Sequence, residues 1–431
     1  MRVKFLIGAA LLASTGVAAL VQAPSVEAAR PAPQAMQALV ERYVAEDKTP
    51  GIVISVGRAN APATFYKAGR IAYEADAPKA DENSLWRVYS MTKPITGMAA
   101  MILVEEGKLK LDQPISDFIP AFKNMRVLDD PGGAIDKTHA AARPITVRML
   151  LTHTSGLGYD LGQPAPGKNT LLDNYRAQGI NPAQVSAQLE VSFRTIRPAS
   201  LEAFANKLAT FPLVYEPGTK WSYSIGLDLM GRVIEVASGM RFDAFLQKRI
   251  FDPLKMNSTF FTVPGSEKGR LATAYAAGSH VAIDTGTGSV WLNPPSFPYG
   301  GAGLVSSAYD YDRFLHMLQN GGELDGVRIM KPETVALAMS NLLPAGADTS
   351  FLGAMGVAGT LGFGAGGSVY LADVPGVAGK GTYGWGGAAG TIAFVDPARG
   401  VRGTAMVNYL PGEKWPLRKD MNAALAADLT Q

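Results

Sequence analysis

The chain has 431 residues, of which 47% are hydrophobic and 18% charged, so it can build a large core and is not a disordered chain. Lys and Arg number 40 against 37 Asp and Glu, a formal charge of +3, and no basic block appears; this excludes the clustered basic footprint of a nucleic-acid binder. Cysteine is absent and the four histidines are His139, His153, His280 and His316, which excludes disulfides, thiolate metal sites, a cysteine nucleophile and a lipidated cysteine; without an H-E-x-x-H pair, no metal centre is expected.

The first predicted element is a leader. Arg2 and Lys4 precede an apolar run from Phe5 to Val21, and Val26-Glu27-Ala28 offers a small-residue cleavage site. The run approaches membrane-spanning length, but its many Ala and Gly residues and the Pro/Ala-rich stretch behind it favour cleavage. Residues 1–28 are therefore expected to be an export signal, leaving a periplasmic or secreted protein with no lasting membrane anchor.

After a short linker, Ala35 to Ala45 reads as an amphipathic helix. Apolar runs at Gly51–Val56, Thr64–Tyr66 and Leu85–Val88, bounded by turn residues, read as strands. Pro94 to Glu106 is apolar on every side and stops at Gly107, the pattern of a core helix with a glycine beyond its end. From about 124 to 299, loops rich in Gly, Pro and Ala alternate with helical stretches at Ser200–Thr210, Gly226–Ser238 and Phe242–Phe251. Strand patterns return at Val369–Leu371, Gly390–Val395 and Arg402–Tyr409. The last two flank Asp396-Pro397-Ala398-Arg399-Gly400, a turn between hairpin partners, and an amphipathic helix follows over Leu417–Leu429. This order predicts one α/β layer built from both chain ends (29–123 and 300–431) with a mainly helical insertion (124–299), and a cleft where the two meet.

Two familiar patterns carry no function. Gly362 to Gly367 fits G-x-G-x-x-G, but Ser368 to Leu371 reads as a strand where a dinucleotide site needs a helix. Gly162 to Lys168 imitates a phosphate loop, yet Asn169 stands in place of Ser/Thr and two prolines interrupt it. G-x-S-x-G is absent, and with so few histidines any serine chemistry points to a lysine-assisted version.

Ser90-Met91-Thr92-Lys93 lies at the start of the apolar helix. Spacing of three places both side chains on one face, with Cβ atoms about 5–6 Å apart. The helix N-terminus and burial both favour the neutral amine of Lys93, and the same helix end favours an alkoxide on Ser90. Such a spacing is common, and an N-cap Ser with a solvated Lys is the bland alternative; the absence of any polar face argues against it. Tyr223, in Trp221-Ser222-Tyr223-Ser224 before the helix at Gly226, would enter the cleft from the helical part, where neighbouring cations favour its phenolate as a base. The alternative is a Tyr that packs its loop onto the core. Gly384-Trp385-Gly386-Gly387-Ala388 precedes a strand, and its glycines let a substrate approach closely. A backbone N–H there, with that of Ser90, would form an oxyanion hole; the alternative is a glycine-rich bulge.

In this order the three segments resemble the serine β-lactamase and penicillin-binding-protein superfamily, in its class C-like branch, nearest to the family VIII carboxylesterases. Ile145 to Leu157, Phe251 to Met256 and Gly300 to Ser307 fit the same pattern. The resemblance implies a β-lactamase-like α/β (α+β) fold, an antiparallel sheet flanked by helices with the inserted helical domain. It makes Ser90 the acylated nucleophile, Lys93 its proton partner, Tyr223 the companion base and Ala388 the donor of the second oxyanion N–H. Trp385, Gly386 and Gly387 take the place of the family's K-T-G element, and His153 fixes a loop. Two departures bear on substrate. Ile225 replaces the Asn of Y-x-N, and Trp385 removes the cation that binds a substrate carboxylate, so Ile225, Trp385, Gly386 and Gly387 are candidate substrate-contacting positions. Both departures favour a carboxylesterase that takes short-chain, small-molecule esters without metal or cofactor. A β-lactamase or D-alanyl-D-alanine carboxypeptidase-like amide hydrolase, and a non-catalytic penicillin-binding-like module, are the competing readings.

Overall fold

The computed structural model describes residues 34–160, 169–354, 356 and 359–430. The expected leader at 1–28 and the phosphate-loop imitation at 162–168 lie outside the described residues. The helices used below are α1 (Gln34–Ala45), α2 (Thr92–Glu105), α3 (Gly226–Ser238), α4 (Ala308–Gln319) and α5 (Leu417–Thr430).

Both chain ends supply the central sheet. Its strands are β1 (Gly51–Arg58), β2 (Thr64–Gly69), β3 (Leu361–Phe363), β4 (Ser368–Tyr370), β5 (Tyr383–Gly386), β6 (Ile392–Asp396) and β7 (Val401–Met406). They lie in the order β3-β4-β5-β6-β7-β1-β2, and every neighbouring pair is antiparallel. Because helices cover both faces, the central strands are buried on both sides and lack the exposed polar alternation of a half-exposed sheet. Ile52, Ile54 and Val56 of β1 pack with Met36, Leu39, Met421 and Leu425 from α1 and α5. Val53 points the other way, into the core that holds α2, α3 and α4. Arg402 of β7 is also buried, with Nε bonded to Asp312 Oδ1 of α4 at 2.9 Å, and a Cβ at Gly57 would sit 2.2 Å from its guanidinium carbon. The β6–β7 turn is closed by Asp396, whose Oδ1 accepts the Arg399 N–H at 3.0 Å.

The apolar helix expected after Ser90 is α2. Every side chain from Thr92 to Leu103 is buried, and α3 packs directly against it. Short helices at Leu171–Ala177, Ala187–Phe193 and Leu201–Leu208 stand in the stretch between the two halves of the sheet. That stretch is tied back to the chain ends, because Ala274–Ala276 pairs in parallel with Tyr409–Leu410. The strand expected at 85–88 is Leu85–Arg87, and it pairs with Val305–Ser307 outside the central sheet. The G-x-G-x-x-G segment is a β-hairpin joining β3 and β4, closed by Gly364 N–H to Gly367 O at 2.8 Å. Its glycines serve a close approach: a Cβ at Gly366 would stand 2.3 Å from the Lys93 carbonyl oxygen.

Candidate active site

Ser90 is delivered by a tightly held strand. The buried Arg87 guanidinium donates from Nε to Asp284 Oδ2 at 2.9 Å. The Asn408 amide brackets the Arg87 backbone, accepting its N–H and donating to its carbonyl, each at 3.1 Å. The chain then turns at Tyr89, whose φ of 42° lies in the left-handed region; a non-glycine residue there costs about 1–3 kcal/mol. Its ring is locked edge-on against Trp291, with centroids 5.9 Å apart. A 3-10 turn, Tyr89–Met91, carries Ser90 into α2. The Ser90 N–H thus sits in a first helical turn, where amides lack intrahelical partners.

Three of the expected residues meet here. Lys93 Nζ donates to Ser90 Oγ at 3.1 Å and to the Gly301 carbonyl at 2.8 Å. The Tyr223 hydroxyl reaches Ser90 Oγ at 2.8 Å, and Lys93 Nζ lies 4.6 Å from the Tyr223 ring centroid, a cation–π contact. Lys93 is completely buried, so neither solvent nor a surface acid is its partner. Ala388 lines the same cavity as Ser90. Its carbonyl is taken by Gly412 N–H at 2.8 Å, while among the described residues no hydrogen bond uses its N–H.

Trp385, a candidate substrate-contacting position, meets Tyr223. Strand alternation turns it to the Tyr223 side of β5, where its indole N–H donates to the Tyr223 hydroxyl at 3.1 Å. It does not line the cavity beside Ser90. Gly386 faces the opposite side of the sheet and, with Gly387, lines a separate hollow beside Thr391 and Arg418; alternation returns Gly387 to the Trp385 side, where a Cβ would stand 2.4 Å from the Val88 carbonyl oxygen. Ile225 is set apart from the cavity. It occupies the cap position ahead of α3, its side chain is fully buried in the main core, and it does not line the cavity.

The site also holds Tyr159 and Asp228, which sequence reading did not single out, and His153, which it read as fixing a loop. Tyr159 places its hydroxyl 3.4 Å from Lys93 Nζ and its ring edge-on to Tyr223, with centroids 5.0 Å apart. Burial, then the neighbouring Tyr223 and Asp228, push its phenol well above the usual range. His153 accepts the Ser224 N–H on Nδ1 at 3.1 Å and lies against Tyr223, with ring centroids 4.6 Å apart. Burial and the Lys93 charge hold its imidazole well below the usual range, so it is a neutral ring that fixes the Tyr223 loop. Asp228, in the first turn of α3, is entirely buried and accepts the Gly301 N–H at 2.9 Å. Burial pushes its carboxyl up to about 7, against the opposing pull of Lys93 and of that N–H.

The cavity at Ser90 holds about 420 Å³ and is mainly apolar, with Ala183, Val185, Leu189 and Phe193 among its lining residues. This volume is in the range that admits a whole small organic molecule. Two arginines reach it, and both have carboxylate partners. Arg176 pairs with Asp160 at 2.7 Å, and Arg197 pairs with Glu190 at 2.7 Å.

A Beta-lactamase family model matches residues 36–428. Esterase EstB of Burkholderia gladioli is 31% identical over 401 residues, covering 86% of this chain and 89% of its own. Lovastatin esterase of Penicillium rubens is 31% identical over 370 residues, covering 79% of this chain and 83% of its own. Among solved structures, EstCE1, described as a hydrolase with promiscuous acyltransferase activity, superposes with a TM-score of 0.71 at 26% identity, covering 90% of this chain and 97% of that one.

Proposed function

As the chain belongs to the Beta-lactamase family and is a serine hydrolase acting on esters, we propose that it is a carboxylesterase working through an acyl-enzyme on Ser90. The observation that carries this reading is the convergence of Lys93 Nζ and the Tyr223 hydroxyl on one oxygen, Ser90 Oγ, at 3.1 and 2.8 Å. In the proposed reaction the Ser90 hydroxyl proton passes to Lys93 or Tyr223 as Oγ attacks the ester carbonyl. The resulting oxyanion is held by the N–H groups of Ser90 and Ala388, each such donor being worth about 10²–10³ in rate. Collapse expels the alcohol, which takes the proton, and water then attacks the acyl-Ser90 ester by the same relay in reverse.

Esters rather than penicillins are proposed because the cations that line the cavity, Arg176 and Arg197, are each paired with a carboxylate. Trp385 stands where the resembling family has its carboxylate-binding lysine, and the two arginines that reach the cavity are held by Asp160 and Glu190. A substrate carboxylate would be desolvated there without a partner. The names of EstB and lovastatin esterase support the same choice.

Intact mass after brief exposure to p-nitrophenyl butyrate, and separately to a penicillin, tests the proposal with Ser90→Ala as control. Turnover or a butyryl adduct that requires Ser90, with little penicillin turnover, is the expected result. Ester hydrolysis persisting in Ser90→Ala would overturn it, and rapid penicillin hydrolysis would move the substrate class to β-lactams.

A further inference from the structure

An acid in the first turn of a helix ordinarily faces water and complements the helix dipole. Asp228 does not: it is fully buried, and its Oδ2 has no hydrogen-bond partner among the described residues. The acyl transfer proposed above makes no use of it. A buried carboxylate with one bare oxygen is costly to keep, so its location asks for a role.

The geometry supplies one. Asp228 Oδ1 accepts the N–H of Gly301 at 2.9 Å, and the carbonyl of the same glycine accepts from Lys93 Nζ at 2.8 Å. One residue is thus gripped from α3 on its amide side and from α2 on its carbonyl side. The approach needs glycine, because a Cβ on residue 301 would lie 2.4 Å from Asp228 Oδ2. The preceding Gly300 is held as closely, its Cβ position being 2.4 Å from the Leu227 carbonyl oxygen. Its own carbonyl accepts from the Thr96 hydroxyl of α2 at 2.7 Å. The 300–301 backbone is therefore a bridge between the helix that carries Lys93 and the helix that follows Tyr223.

We infer that Asp228 is a positioning residue, which aims the Lys93 amine at Ser90 through the Gly301 backbone and sets the charge that this amine faces. The inference rests on the Ser90–Lys93 reading of the reaction. The groups facing Asp228 are Lys93 from α2, Tyr159 from the loop above it and Tyr299 from the segment leading to Gly300, with the Arg197–Glu190 pair beyond Tyr299. Among these Lys93 is the cation that acts directly on Asp228. With burial holding its carboxyl near about 7, Asp228 gains its negative charge within the range where esterases are assayed. That charge lies beside the two groups that converge on Ser90 Oγ, so gaining it changes the field in which the proton relay works.

The test compares Asp228→Asn, which keeps an acceptor for the Gly301 N–H but carries no charge, with Asp228→Ala, which loses both. Each is assayed for p-nitrophenyl butyrate hydrolysis across about pH 5–9, with thermal unfolding and fluorophosphonate labelling of Ser90 in parallel. Asp228→Ala is expected to lose about 10–100-fold in kcat with KM changed less than about twofold, because the aim of the amine is lost while the cavity is not. Asp228→Asn is expected to lose only about threefold, and to shift the acid limb of kcat/KM to lower pH by about half a unit or more, since the base gives up its proton sooner without the anion. A folded Asp228→Ala with the wild-type rate and pH profile overturns the inference. So does Asp228→Asn matching Asp228→Ala with the limb unmoved, or activity falling only in proportion to lost folded protein. A wild-type enzyme that hydrolyses the ester without labelling at Ser90 would instead overturn the reaction on which the inference rests.

Discussion

The floor and the wall of the cavity are built by different means. The floor is Ser90, on the turn that leads into α2, and Lys93 in the first turn of α2, whose side chains from Thr92 to Leu103 are all buried; it is tied by Arg87, Asn408 and Gly301 to three distant parts of the chain. The wall comes from the short helices Leu171–Ala177 and Ala187–Phe193 and the loop between them, steadied by the ion pairs Arg176–Asp160 and Arg197–Glu190. Reacting atoms must be held to a fraction of an ångström, and a packed core does this; a wall that only receives an apolar group can be made of short, locally pinned pieces. The difference implies that chemistry and substrate choice are separable by mutation.

The largest expected effect breaks the floor. Lys93→Ala and Tyr223→Phe each remove one of the two groups on Ser90 Oγ, and each should lower kcat by about 10²–10⁴-fold. Single-turnover release of p-nitrophenol measures this directly. A loss under about fivefold in both would deny the floor its role.

The next effect sharpens the contrast from the wall side. Arg197 donates to both Glu190 oxygens, at 2.7 and 2.9 Å, and to the Ala183 carbonyl at 2.8 Å. Arg197→Met leaves Glu190 buried without its partner, a change that costs about 3–5 kcal/mol where no relaxation follows. A lower Tm is expected, with a raised KM for esters of bulky acids or alcohols. The kcat for p-nitrophenyl acetate should stay within about threefold, since the acetyl group does not need the wall. An equal fall in kcat for acetate and bulky esters would show that floor and wall are one unit.

The floor was the more legible of the two in the sequence. Ser90 and Lys93 announce themselves because a helical spacing coincides with a helix lacking any polar face, and the sheet strands are legible at both chain ends because Ile52 to Val56, broken only by Ser55, and Ile392 to Val395 are apolar runs. What escaped depends on contacts between distant segments. Tyr159 stands in a loop with no period to mark it. Asp228 reads as an ordinary first-turn acid until Gly301 closes over it. Nothing about Tyr89 signals a positive φ, a conformation that sequence suggests only for glycine or asparagine. Gly386 and Ile225 were placed by motif position, although period-two alternation from Trp385 already turns Gly386 to the other face, and the start of α3 turns Ile225 into the core. A motif says which residues travel together; the element they ride on says where each side chain goes.

The smallest effect lies where sheet and helical segment meet. Trp385 on β5 donates its indole N–H to the Tyr223 hydroxyl at 3.1 Å, and its ring packs edge-on to Phe363 with centroids 5.2 Å apart. Trp385→Phe keeps the ring and removes the donor. If Tyr223 serves as a phenolate base, the N–H stabilises that anion; a hydrogen bond to a charged group is worth about 1.5–3 kcal/mol. Its loss should then lower kcat/KM about tenfold and move the acid limb of the profile to higher pH, because the phenolate takes up its proton more readily. That direction is opposite to the shift expected for Asp228→Asn. If Lys93 is the base and Tyr223 stays a neutral phenol, the donor is exchanged for a weaker interaction only, so the loss stays under about threefold and the limb does not move. The pH profile of Trp385→Phe therefore assigns the proton to one of the two groups that converge on Ser90.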